Sequence, residues 1–527
     1  MQNVLNSEPL ALKMQELATR VEEAARSTEE GVRSFIEPAE GTLRRAISKR
    51  HHIIFGRRGA GKSTLLRKAG ADLTIDRRPI AYVNLETFKG HSYPDILLSV
   101  LIAALSEFKT WFETAAIHPA TRTSFWDRLF GSTPSRSSLN KKESAELSQR
   151  IRSQINELEG LLHAADEADL TVTTGAKRES QQSAELSARI APSVGSLSAS
   201  GMAIESATSA AEVKQEYRRH KIDFLHRHIM DYQRLFRRIS ELSKGDSYLF
   251  LDDLYQVNRS DQPKVIDYFH RIAKDHNLWL KIATIRHRSR WYVYGDPPTG
   301  VKLGEDADLI DLDLTLDKYD LARNFLLKIL TNFAQEFGLT VNSFLTEGAK
   351  DRLVLASGGV ARDFLSIFRR SIDVARQRVA RQQGSGHRGK QIGAEDVNVA
   401  AGEYEPSKRE DFKRDTTDDD LQLDDEYEKI RNFCLDKVGT NCFLLNKDAI
   451  GSGVKLIHEL VDLKLLHLVR SRVTVSGRRG QIYEAYMLDL SQYTGSRKRH
   501  KFKIIEFWRP RATETLRRAL LIYEPTI

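Results

Sequence analysis

The sequence predicts an α/β fold built on a parallel sheet, followed by an all-helical segment and a smaller C-terminal module of helices and a hairpin. Three observations carry this. Five short apolar runs, HHIIF (51–55), PIAYVNL (79–85), YLFLDD (248–253), LKIATI (280–285) and DLIDLDL (308–314), alternate with helical stretches. Runs of that length, apolar throughout, are what strands buried on both faces of a parallel sheet require. From about 317 to 405 the apolar spacing is helical throughout. In the last hundred residues, helices precede RSRVTVSGRRGQIYEAYMLDL, two alternating strands about a tight Gly-Arg-Arg-Gly turn.

Taken in order, residues 1–35 are expected to be an N-terminal helix, with Leu10, Leu12, Leu17 and Val21 loosely on one face. The sheet and its helices occupy 36–316. An insertion at about 110–220 interrupts them. Its first part carries Leu147, Ile151, Ile155, Leu158 and Leu162 at helical spacing, as in a helical hairpin or coiled-coil arm. Its second part, Leu170 to Ala211, is rich in Ser, Ala and Gly. AELSQRI (145–151) returns as AELSARI (184–190), one weak echo rather than a repeat architecture. The arm is either a contact for a protein partner or a passive excursion. The helical segment at 317–405 includes the basic loop RQQGSGHRGK (381–390). An acidic linker is expected at 406–425, and the C-terminal module with a basic tail at 426–527.

At 527 residues the chain exceeds what one hydrophobic core can organise. Its 40% hydrophobic and 29% charged content is that of a globular protein, with no apolar stretch near the roughly 20 residues that span a bilayer. The N-terminus lacks the basic-then-apolar layout of a secretory signal. Cys434 and Cys442 are too few for a disulfide framework or a zinc site and read as buried residues in a reducing, cytoplasmic setting. The net charge of +9 is modest, but its basic excess gathers near the C-terminus.

The residues 56–64, GRRGAGKST, fit G-x-x-x-x-G-K-[ST] between a strand and a helix. Such a loop cradles the phosphates of a nucleoside triphosphate, here read as ATP with Mg²⁺. Gly56, Gly59 and Gly61 let backbone N–H groups close on phosphate oxygens, and the following helix points its positive end at them. Lys62 supplies charge to the β and γ phosphates, and Ser63 supplies a hydroxyl to Mg²⁺. Arg57, Arg58, Ala60 and Thr64 complete the expected nucleotide-binding set. YLFLDD offers the second half: Asp252 as metal ligand and Asp253 to orient water. Asp253 is one methylene shorter than glutamate, so hydrolysis is expected to be slow, as in a switch.

The order of these motifs resembles the AAA+ ATPases of the replication-initiator and origin-recognition clade, and also the STAND signalling ATPases. The resemblance covers roughly 36–405 without the insertion, and implies an α/β P-loop NTPase domain with a helical lid. IATIRHR (282–288) sits where both families carry a sensor; Thr284 and Arg286 look like the Thr-x-Arg form of STAND proteins. SGGVARDFL (357–365) resembles the initiators' second sensor, which offers Arg362 to the γ-phosphate. Ala361 departs from the proline of the similar STAND segment. The resemblance further implies self-association through the ATPase domain, with an arginine acting in trans from Arg288 or Arg290.

The C-terminal order of helices and hairpin is the winged-helix layout. The helix before the hairpin, Gly453 to Leu463, carries Lys455, His458 and Glu459 on its polar side, a poor set for reading base edges. Arg472, Arg478 and Arg479 in the wing, with Arg497, Lys498 and Arg499 in the tail, suit phosphate contact with double-stranded DNA. Two functions follow. One is an initiator-like switch ATPase that oligomerises and engages DNA or a DNA-associated partner. The other is a STAND-like signalling or antiviral-defence scaffold whose winged helix only packs. No recombinase, nuclease or protease constellation is visible. His51 and His52 lack spaced metal partners, and His226 and His228 fall on different helix faces.

Overall fold

A computed structural model describes residues 8–24, 32, 35–75, 78–117, 140–163, 215–381, 391–415, 420–494, 502–509 and 513–525. The Ser/Ala-rich half of the insertion, the echo at 184–190, the loop at 382–390 and the tail residues Arg497, Lys498 and Arg499 lie outside the described residues.

The expected parallel sheet is present. Strands β1 (His52–Phe55), β2 (Ile80–Asn84), β3 (Ser247–Asp252) and β4 (Leu278–Thr284) precede a short antiparallel pair, β5 (Tyr292–Val293) and β6 (Thr299–Gly300). Strand β7 (Asp308–Asp311) closes a five-stranded sheet of order β2-β3-β4-β1-β7, with every pairing parallel. Strands β1 and β3 are buried at every position, which explains why their sequences show apolar runs instead of alternation.

Helix Lys62–Ile75 covers one face through Leu65, Leu66, Ala69 and Leu73. The other face meets helices Asp95–Ile117, Ile229–Ser243 and Gln262–Ala273. The insertion's described helix at 140–163 joins that same core. Leu147, Ile151, Ile155 and Leu158 are buried as spaced, while Leu161 rather than Leu162 completes the stripe. The helix that leads into β3 is interrupted at His228.

Five helices follow the sheet: Tyr319–Glu336, Val341–Phe344, Glu347–Ser357, Ala361–Arg381 and Ala394–Asp415. The last runs past 405, where a linker was expected, because Lys408 is drawn into a buried ion pair. The N-terminal helix Glu8–Ala24 lays Met14, Leu17, Ala18 and Val21 into the core of this helical segment.

In the C-terminal module, helix Asp420–Asn432 leads to strand β8 (Cys442–Asn446) and helix Ser452–Asp462. Strands β9 (Leu466–Val473) and β10 (Tyr483–Leu488) complete an antiparallel sheet of order β8-β10-β9. Two expectations change. The first strand begins at Leu466, ahead of the expected RSRVTV run, once the helix has ended at Asp462 and Lys464 has taken the left-handed conformation (φ 65°). The connection is also no two-residue turn. It spans 474–482 and is folded by Gly477 and Gly480, each at φ 82°. Helical segment and C-terminal module share one continuous core.

Candidate functional site

The phosphate loop joins the carboxyl end of β1 to helix Lys62–Ile75, at the edge of the sheet where ligands of open α/β folds bind. Gly59 (φ 88°) and Gly61 (φ 95°) take left-handed conformations that side chains resist. Gly59 is doubly constrained: a Cβ there would lie 2.7 Å from the Cβ of Arg362. The Arg362 N–H donates to the Gly59 carbonyl at 3.3 Å, so the loop and the Ala361–Arg381 helix meet directly.

Between them lies a cavity of about 200 Å³. Its basic side comprises Arg58, Lys62 and Arg362, with Gly59, Gly61, Ser63 and Thr64 from the loop. Its acidic side comprises Glu86 and Asp253, with Tyr255 beside them. Ala24, Ala361 and Leu365 supply apolar surface at the rim. Lys62 is 6% exposed, and its ammonium donates to the carbonyls of Gly56 (2.8 Å) and Arg57 (3.3 Å). Burial holds its pKa below the ordinary lysine range, against the pull of Asp253, Asp313 and Asp252.

Several expected site residues are placed otherwise. Arg57 does not face the cavity. Its backbone N–H and guanidinium bond Asp313 (2.8 and 3.3 Å), and the guanidinium also donates to the carbonyls of Gly358 and Leu314. Asp252, 1% exposed, accepts from the Tyr82 hydroxyl at 2.5 Å on one oxygen and from the Asp253 N–H at 3.0 Å on the other. The carboxylates that line the cavity are instead Asp253 and Glu86. Asp253 sits at φ 56°, and burial together with neighbouring Asp252 raises its pKa to about 6.

Thr284 is buried and bonds the Ser289 hydroxyl. Arg286 turns from the cavity, pairing with Asp311 at 3.0 Å over the Phe55 ring. Arg288 stacks on Tyr255, 5.9 Å from the ring centroid, while Arg290 is exposed. Gly56 and Ala60 shape the loop: a Cβ on Gly56 would press on Ala60 and Lys62.

The C-terminal module closes the site from behind. Asp462, at the end of helix Ser452–Asp462, is half-buried beside Asp313, Arg57 and the backbone of His287; desolvation first, then Asp313, raises its pKa to about 7. Two residues on, the Lys464 ammonium donates to Asp363 at 3.0 Å, next to Arg362. The His458 and His287 rings lie 5.4 Å apart. Lys408 donates to Asp489 at 2.7 Å, and His467 shares that carboxylate at 3.0 Å. By contrast Arg472, Arg478 and Arg479 are exposed on the wing side. Arg517 and Arg518 are exposed too, and the Arg517 carbonyl accepts from the Ser476 N–H.

Sequence reasoning missed Glu86, Tyr255 and Tyr82. Only the position of Glu86, just beyond the strand that pairs with YLFLD, could have flagged it.

No protein-family model matches the chain, and no curated protein matches it. Among solved structures, the Orc1 protein of Aeropyrum pernix in complex with DNA aligns at 14% identity and a TM-score of 0.35. The alignment covers 88% of this chain and 92% of that one. Among the described residues, no helix is long and apolar enough to cross a membrane.

Proposed function

We propose that the chain binds ATP with Mg²⁺ in the phosphate-loop cavity and hydrolyses it slowly, as a switch of AAA+ type. One observation carries the reading: a buried ammonium, Lys62, held by neutral carbonyls at a cavity that Asp253 and Glu86 also line. A polyphosphate brings its negative charge to Lys62, Arg58 and Arg362, and the N-terminal end of helix Lys62–Ile75 adds its dipole. The donors facing the cavity beside the loop, the Ser63 hydroxyl and the Asp253 carboxylate, are hard oxygens that suit Mg²⁺. When bound, the metal neutralises charge on the β and γ phosphates.

The C-terminal module, read as a winged helix, engages double-stranded DNA through Arg472, Arg478 and Arg479, all exposed. If the chain self-associates around ATP, Arg290 is the better finger in trans, because Arg288 already stacks on a cavity residue of its own chain. A second reading has its own observation. The Asp462–Lys464 turn is docked on the core, which favours a signalling scaffold whose module packs and leaves DNA alone.

ATP binding by calorimetry, with hydrolysis measured with and without duplex DNA, separates the readings. Binding with DNA-stimulated hydrolysis is the expected result. Binding with no response to DNA and no DNA affinity at low salt selects the scaffold. No ATP binding in the presence of Mg²⁺ rejects both.

A further inference from the structure

We propose that Glu86 is a further catalytic residue: the carboxylate that orients the attacking water and accepts its proton. The inference rests on the ATP reading above. It starts from Asp252, which the sequence nominated together with Asp253. Both Asp252 oxygens are engaged inside the protein, by the Tyr82 hydroxyl and the Asp253 N–H, and Asp252 does not line the cavity.

The two carboxylates that do line it arise from neighbouring strand ends. Asn84 and Asp252 pair in register at the carboxyl ends of β2 and β3. Each strand continues into a short 3-10 turn, Leu85–Phe88 and Leu254–Gln256, and the two turns lie side by side. The Asn84 side chain accepts from the Glu86 N–H at 3.0 Å and so fixes the first turn at its start. Glu86 is thereby set on the cavity's acidic side, close enough to Asp253 to raise that residue's proton affinity.

The two acids are not equivalent. Asp253 is half-buried, short, and anchored on a left-handed backbone next to Asp252. Glu86 is exposed to the cavity and solvent and one methylene longer. A base that must meet a water beyond the γ-phosphate and then release a proton to bulk solvent needs that reach and exposure. In the step assigned to it, the water oxygen forms the new bond to the γ-phosphorus. The bond from phosphorus to the bridging oxygen breaks, and its electron pair leaves with ADP. The water's proton passes to Glu86 and from there to solvent.

The test compares Glu86→Gln, Glu86→Asp and Asp253→Asn with the wild type. It measures ATP affinity as a function of Mg²⁺ and the rate of single-turnover hydrolysis. Glu86→Gln is expected to slow hydrolysis by about 100-fold or more while keeping ATP affinity and its Mg²⁺ dependence within about threefold. Glu86→Asp should fall between it and the wild type. Asp253→Asn should instead lose the Mg²⁺ dependence of affinity. Because Glu86 is exposed, its replacement leaves the core intact. Wild-type hydrolysis by Glu86→Gln overturns the proposal, as does an affinity loss matching its rate loss. A wild type that binds ATP but never hydrolyses it overturns this proposal alone. A wild type that fails to bind ATP overturns the reading beneath it.

Discussion

Buried lysines in two regions meet opposite fates. At the phosphate cavity, Lys62 donates to the carbonyls of Gly56 and Arg57. At the junction of helical segment and C-terminal module, Lys408 and Lys464 donate to the carboxylates of Asp489 and Asp363. All three are 4–6% exposed. Desolvating an ammonium is costly, and a neutral carbonyl recovers only part of that cost. The junction's cations bond carboxylates directly, whereas the cavity's cation bonds carbonyls, with Asp253, Asp313 and Asp252 acting on it through space. On the proposed ATP reading, the former hold structure and the latter binds.

The largest effect is expected where a matched pair is broken. Asp489→Asn leaves Lys408 buried without its counter-charge and should lower unfolding free energy by about 3–5 kcal/mol in urea titrations. Adding Lys408→Met should recover part of the loss; if it adds to it instead, the pair is not coupled. Next comes the cavity's cation. Lys62→Ala should weaken ATP binding roughly 10- to 100-fold by calorimetry, with an unchanged or raised thermal midpoint. A large drop in that midpoint would place Lys62 with the structural set.

Asp462 gives a smaller, pH-dependent effect. Its folded pKa of about 7 lies above the ordinary carboxylate value of about 3.9, so the folded state binds the extra proton. Its contribution to stability is therefore present at low pH and is lost as pH rises from about 4 to about 7. Asp462→Asn should flatten that slope, and an unaltered slope would show that Asp462 titrates normally. The smallest effect on either site should come from replacing Arg472, Arg478 and Arg479 with alanine. ATP affinity should not change, while the log–log salt slope of duplex binding falls by about 2 to 3. An unchanged slope would remove the wing from any DNA contact.

The two regions also differ in how far the sequence discloses them. The phosphate loop is local: nine consecutive residues running from a strand end into a helix state their geometry, and the parallel sheet follows from runs such as HHIIF. The junction is not local. Lys464 and Asp363 stand 101 residues apart, and nothing around either one announces the other. Arg57 looked like a phosphate ligand because it lies inside the motif; its partner Asp313 is 256 positions away. The strand at Leu466 was hidden for a different reason. LKLLHLV continues the helix's apolar pattern, and the break falls on Lys464, a residue with no special taste for a left-handed backbone. Strand β8, CFLLN, was too short and too close to a helix to stand out.

The turn from Asp462 to Lys464 ties the back of the loop cavity to the module that bears the exposed arginines. Linkage is symmetric in such an arrangement. If a ligand of the module draws this turn off the core and so changes ATP affinity, ATP must change the affinity for that ligand by the same factor. Titrating ATP at fixed ligand, or ligand at fixed ATP, then yields one coupling constant, whichever end is easier to watch.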